Sequence, residues 1–212
     1  MSIRRLCLLL MTICSLAEIS LFAQEGTRIE AGSHIGLEKV WPEIRQAPKS
    51  QIGTIELLIR PDKPAIERPR SFLITLSNNG GADVSGLSLT IGEGVIVANV
   101  FGTRLRTKPI RPDEWTHVAL TVNTQTVNKR ARLWIDGKLA EERLVLEYWP
   151  KSFEVTQMLS DKWGQGRVFS GDLGDVRISR SVRYAEPFSP LTTLPEDSET
   201  SLRLNGRSLP LD

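Results

Sequence analysis

Carboxylates, histidines, flat aromatics and arginines are the side chains of this sequence that could do chemistry. Their spacing narrows what each can do. Cleaving a glycosidic bond takes two carboxyl groups facing one cleft, one as acid and one as base or nucleophile. Glu141 and Glu142 are adjacent, so on a strand they point to opposite faces. Asp172 and Asp175 are three residues apart and in a regular strand also point oppositely. His34 and His117 are the only histidines, far apart in sequence, which makes a poor zinc pair. No serine or cysteine nucleophile motif accompanies His117, so it reads as a packed structural residue rather than a base.

The aromatic and basic residues point instead to binding. Trp115 and Trp134 fall in alternating segments and read as core or sheet-face residues. Trp41, Trp149 and Trp163 lie in irregular segments beside proline or glycine. A flat ring there stacks on the apolar face of a sugar or plugs the end of a sandwich, and the sequence leaves both open. Arg60, Lys63, Arg68 and Arg70 crowd one proline-containing stretch. It reads as a solvated loop or as a contact for an anionic glycan, with Arg68 and Arg70 the candidates.

Strands must carry these residues. From Thr116 to Val122 the pattern alternates, with Thr116, Val118, Leu120 and Val122 on one face. Ala131, Leu133 and Ile135 continue it, and Asp136-Gly137 follows as a hairpin turn that needs positive φ at both centres. Lys138 to Glu142 is the return strand. Ile55, Leu57 and Ile59 share one face of an earlier strand that ends at Pro61. Ser71–Ser77, Leu87–Ile91, Val95–Val100, Val168–Ser181 and Ser201–Leu204 read as further strands. Gly92-Glu93-Gly94 joins two of them tightly, with its glycines assigned to left-handed positions. No helix of three turns is expected after the N-terminal segment, and no internal repeat or linker divides the chain.

The 212 residues suit one all-β domain. Residues 1–23 read as a secretory signal, with Arg4 and Arg5 ahead of an apolar run too short to span a bilayer. Ala23 is the expected last residue before cleavage, and Ala17 marks a second candidate cut. Residues 24–212 then form the domain. Cys7 and Cys14 both lie in the signal, so the remainder has neither disulfide nor thiolate site. It carries 25 basic and 24 acidic residues, a balance with no general pull toward nucleic acid or membrane. A secreted, periplasmic or cell-envelope location is expected, with no integral membrane segment.

Four landmarks in order resemble the laminin-G-like, concanavalin A-like jelly-roll family of secreted bacterial proteins. They are Glu114-Trp115-Thr116-His117-Val118-Ala119-Leu120-Thr121-Val122, Leu133-Trp134-Ile135-Asp136-Gly137, Phe169-Ser170-Gly171-Asp172-Leu173-Gly174-Asp175-Val176-Arg177-Ile178-Ser179, and the weaker Ile55-Glu56-Leu57-Leu58-Ile59-Arg60-Pro61. The segment Arg183 to Pro190 is similar to one that follows the third landmark in bacterial members. The match runs roughly from Gln51 to Leu204. It implies an antiparallel two-sheet jelly-roll sandwich. It also implies that His117 packs inside that sandwich. Some members hold calcium at the rim through aspartates, which makes Asp161, Asp172 and Asp175 the metal candidates, calcium being the one cofactor considered.

The glucanases of this fold place their carboxylates on one strand, and no strand here has that array. The expected function is a secreted, non-catalytic binding module. It would recognise a glycan or an extracellular or envelope protein through rim loops or the concave sheet, Trp41, Trp149 and Trp163 among its contacts. A polysaccharide hydrolase of the same fold and a structural or adhesion protein are the alternatives.

Overall fold

The computed structural model describes residues 26–30, 33–46, 52–77, 86–123, 129–145, 152–160 and 168–211. The expected signal and the candidates Trp149, Asp161 and Trp163 lie outside the described residues.

Two antiparallel sheets make up the molecule. The first has seven strands. Its path runs from β1 (Thr27–Ile29) to β12 (Gly171–Ser179), β3 (Thr54–Pro61), β8 (Thr116–Asn123), β9 (Arg130–Ile135) and β10 (Lys138–Leu144), with β13 (Thr200–Leu204) also on β12. The second has six strands. They run in the order β2 (Ile35–Gly36), β11 (Val155–Met158), β4 (Ser71–Ser77), β5 (Gly86–Gly92), β6 (Val95–Val100) and β7 (Thr103–Arg106). This is the expected jelly-roll sandwich.

Alternation decides which side chains meet between the sheets. Ile55 lies opposite Leu120 on one neighbour and Ile178 on the other, and Leu57 lies opposite Val118 and Val176. Leu120 in turn faces Leu133. The second sheet answers with Ile74, Leu76, Leu87, Leu89, Ile91, Ile96, Ala98 and Val100, all fully buried. Each such leucine or isoleucine contributes roughly 1.5–3 kcal/mol by leaving water. One edge of the sandwich is fastened across the layers, because the Arg106 amide donates to the Glu141 carboxylate of β10 (2.6 Å).

Asp136 and Gly137 take φ of 49° and 74°, as the hairpin requires. The Gly92-Glu93-Gly94 turn differs from expectation. Glu93 itself is left-handed, together with Gly94, while Gly92 ends β5. Gly92 is needed because a Cβ there would sit 2.3 Å from the Pro69 carbonyl oxygen. The supposed loop after Pro61 holds a short helix, Lys63–Glu67, capped by the Asp62 carboxylate accepting from the Ala65 amide at 2.9 Å.

Candidate functional site

The outward faces of the two sheets are built differently. On the seven-stranded sheet, Glu56 and Leu58 of β3, His117 of β8, Trp134 of β9 and Arg177 of β12 point away from the core, as their registers with one another require. Residues 181–199 lie over them as a strap. Phe188 donates its amide to the Gly137 carbonyl (3.0 Å) and stacks on Tyr184, ring centres 3.5 Å apart, and its ring lies 5.8 Å from that of Trp134. Gly137 also has to be glycine here, since a Cβ would collide with the Phe188 carbonyl oxygen.

Beneath the strap, Glu56 is wholly buried. Arg177 donates to both of its oxygens (2.7 and 2.9 Å), and the Tyr184 hydroxyl donates to one of them (2.7 Å). His117 Nδ1 accepts the Leu191 amide at 3.2 Å, which leaves the ring proton on Nε2, 3.4 Å from Glu56. Burial pushes the Glu56 carboxyl up, but the hydrogen bonds from His117, Arg177 and Tyr184 outweigh it and bring it down to about 2. Burial, then the Glu56 charge, raise the Tyr184 hydroxyl above its ordinary range. His117 therefore packs outside the sandwich, under the strap, rather than between the sheets. No solvent-facing carboxylate remains in this cluster to act on a substrate.

The aspartates of the third landmark belong to the same fastening. A bulge between Leu173 and Val176 resets the alternation, so Asp172 and Asp175 share the outward face instead of opposing one another. Asp172 accepts Arg60 Nε (2.6 Å). Asp175 accepts the amides of Leu194 (2.9 Å) and Gly206 (3.0 Å) and is paired with Arg203 (3.1 Å). Burial raises the Asp175 carboxyl, and these donors more than reverse it, leaving it lowered. Neither aspartate fits a calcium site, because a cation would have to displace guanidinium groups and amides already in place. Among the described residues no three His, Cys, Asp or Glu side chains form a metal-binding group.

Trp41 is 9% exposed and packs in the core, so its ring has little open face for a sugar. The basic stretch disperses. Arg60 turns to Asp172, Lys63 to Glu67, and Arg68 donates to the Val168 carbonyl (3.0 Å). Arg70 borders a cavity.

That cavity, about 270 Å³, lies on the outward face of the six-stranded sheet and is lined by Arg70, Ser88, Thr90, Val97, Asn99, Gly102 and Arg104. Register explains its polarity. Gln157 pairs with Thr75, Thr75 with Ser88, Ser88 with Asn99 and Asn99 with Arg104, so five strands contribute one polar row. Four inter-strand steps of about 4.8 Å make that row roughly 19 Å long. Thr75 is 2% exposed, and its hydroxyl, like the Gln157 carbonyl oxygen, has no protein hydrogen-bond partner. Burying such a group without a partner costs roughly 1–3 kcal/mol, so its presence calls for an explanation. Sequence reading missed this row because its members sit on five strands spread from Thr75 to Gln157. Only the pairing register aligns them.

A larger hollow of about 340 Å³ lies at the rim, lined by Thr107, Lys108, Pro109, Ile110, Ile135, Asp136, Lys138, Leu139 and Ala140. It is mostly aliphatic and offers few directed hydrogen-bonding groups.

Residues 41–186 match the family described as the concanavalin A-like lectin/glucanases superfamily. Among solved structures, a Bacteroides ovatus protein provisionally described as carbohydrate-binding is 22% identical with a TM-score of 0.55. The match covers 72% of this chain but only 44% of that one. The CBM40 of the Ruminococcus gnavus IT-sialidase is 18% identical with a TM-score of 0.58, over 76% of this chain and 92% of that one. The same CBM40 bound to α2,3 sialyllactose gives a TM-score of 0.59 at 18% identity, with the same coverage of both chains. These likenesses are likenesses of fold. A search of curated sequences finds no significant match.

Proposed function

Because this chain belongs to the concanavalin A-like lectin/glucanase superfamily, we propose that it is an exported, non-catalytic module that binds glycan on the outward face of its six-stranded sheet. The observation that carries this reading is the row Gln157–Thr75–Ser88–Asn99–Arg104 beside a cavity of about 270 Å³. Sugars present alternating hydroxyl donors and acceptors, and a row of side-chain amides and hydroxyls meets them in kind. Solved relatives of the fold described as carbohydrate-binding support the class of ligand. The cavity lining contains no carboxylate among the described residues, whereas glycoside hydrolysis needs a pair.

Glycan-array screening followed by titration calorimetry tests the reading. The variant carrying Asn99→Ala and Arg104→Ala should bind its best glycan at least about tenfold more weakly, the effect of losing about 1.4 kcal/mol. Its melting temperature should stay near that of the unchanged protein. Unaltered binding, or no binding to any glycan, overturns the proposal. Export is tested separately, by fractionating cells that express the full chain and sequencing the N-terminus of the exported product. A product beginning at Gln24 is expected.

A further inference from the structure

We infer that the sugar bound at this cavity is acidic, its carboxylate received by Arg104, an inference that rests on the glycan reading above. Most arginines of this protein answer a carboxylate of their own. Arg28 pairs with Asp62, Arg60 with Asp172, Arg111 with Glu114, Arg177 with Glu56, Arg183 with Asp197 and Arg203 with Asp175. Arg104 and Arg106 depart from that habit. Both are exposed on β7 and, being two apart, project on the same outward face. Neither side chain makes an ion pair or hydrogen bond among the described residues.

Position turns this from a surface charge into a site. Arg104 lies opposite Asn99, and both line the cavity with Ser88 and Arg70. Among the described residues no acidic side chain lines that cavity beside Arg104. A planar guanidinium matches a carboxylate with two parallel N–H···O bonds, each stronger than a bond between neutral groups. A neutral sugar gains nothing comparable from uncompensated positive charge. Ser88 and Thr90 add hydroxyls to the same lining, within reach of a ligand held by Arg104.

Calorimetry with matched pairs tests the inference: sialyllactose against lactose, and trigalacturonate against its methyl ester, with sulfated lactose as a third arm. At least one acidic member should bind about tenfold or more tightly than its neutral partner. That gap should shrink between about 50 mM and about 500 mM salt, as screening requires. Arg104→Gln should abolish the gap, the acidic member losing more affinity than its neutral partner. Arg111→Gln, at a residue paired with Glu114 away from the cavity lining, should preserve it. Equal binding of acidic and neutral members, or a gap that survives Arg104→Gln, overturns the acidic assignment while the glycan reading stands. Preference for the sulfated arm over both carboxylates overturns the carboxylate assignment in particular. Failure of every sugar on the array overturns the glycan reading and this inference with it.

Discussion

Among the described residues both outward faces of the sandwich carry polar side chains, and the faces differ in what lies over them. Under the strap, Glu56 is held by Arg177 and Tyr184, His117 Nδ1 accepts the Leu191 amide, and the rings of Tyr184, Phe188 and Trp134 pack above them. On the six-stranded sheet, the polar row runs into a cavity, and the Thr75 hydroxyl ends without a partner. Polar residues on a sheet face therefore do not announce their role by type. What separates the two faces is cover: the strap closes one, while a cavity opens on the other.

The comparison breaks most readily at Glu56. Glu56→Gln leaves the Arg177 guanidinium buried without its counter-charge, and chemical denaturation should show a loss of about 3–5 kcal/mol. Glycan affinity of the protein that remains folded should not change. Lost affinity with full stability would mean the sealed face is the functional one. Acid titration gives the next largest effect. The folded Glu56 carboxyl is held near 2, against an ordinary 4.5. Its stabilisation is fully present above pH 4.5 and is lost as pH falls toward 2, by on the order of 3 kcal/mol. Unfolding free energy measured across that window should fall steeply in the unchanged protein and more shallowly in Glu56→Gln. The smallest effect sharpens the contrast from the other side. Thr75→Val exchanges an unpartnered buried hydroxyl for a methyl, so stability should hold or rise by up to about 1 kcal/mol in chemical denaturation, with glycan affinity unchanged. A clear destabilisation would show that the hydroxyl is structurally engaged.

The sandwich was readable in the sequence because its signals are local. Period-two alternation marks β3, β8 and β9, and Asp136-Gly137 fixes one turn. Ser71–Ser77 and Val95–Val100 form as the pattern indicates. The errors share a cause. The bulge that puts Asp172 and Asp175 on one face is a pairing irregularity, set by the partner strand rather than by the aspartates. The apparent basic patch dissolves because Arg60 and Arg68 find partners about a hundred residues away. β7 escaped notice as four residues, Thr-Arg-Leu-Arg, with one buried side chain to mark a face. The polar row is invisible for the same reason, since its members become neighbours only through five strands in register.

The strap also orders events during synthesis. Tyr184 and Leu191 supply partners to Glu56 and His117, groups made 128 and 74 residues earlier, while Leu194 and Pro195 reach back 19 and 18 residues to Asp175 and Arg177. Until the ribosome has delivered those late residues, the ionic cluster stays hydrated and the middle strands lack their outer cover. The outer cover of the seven-stranded sheet thus closes only after β3, β8 and β12 have all been made.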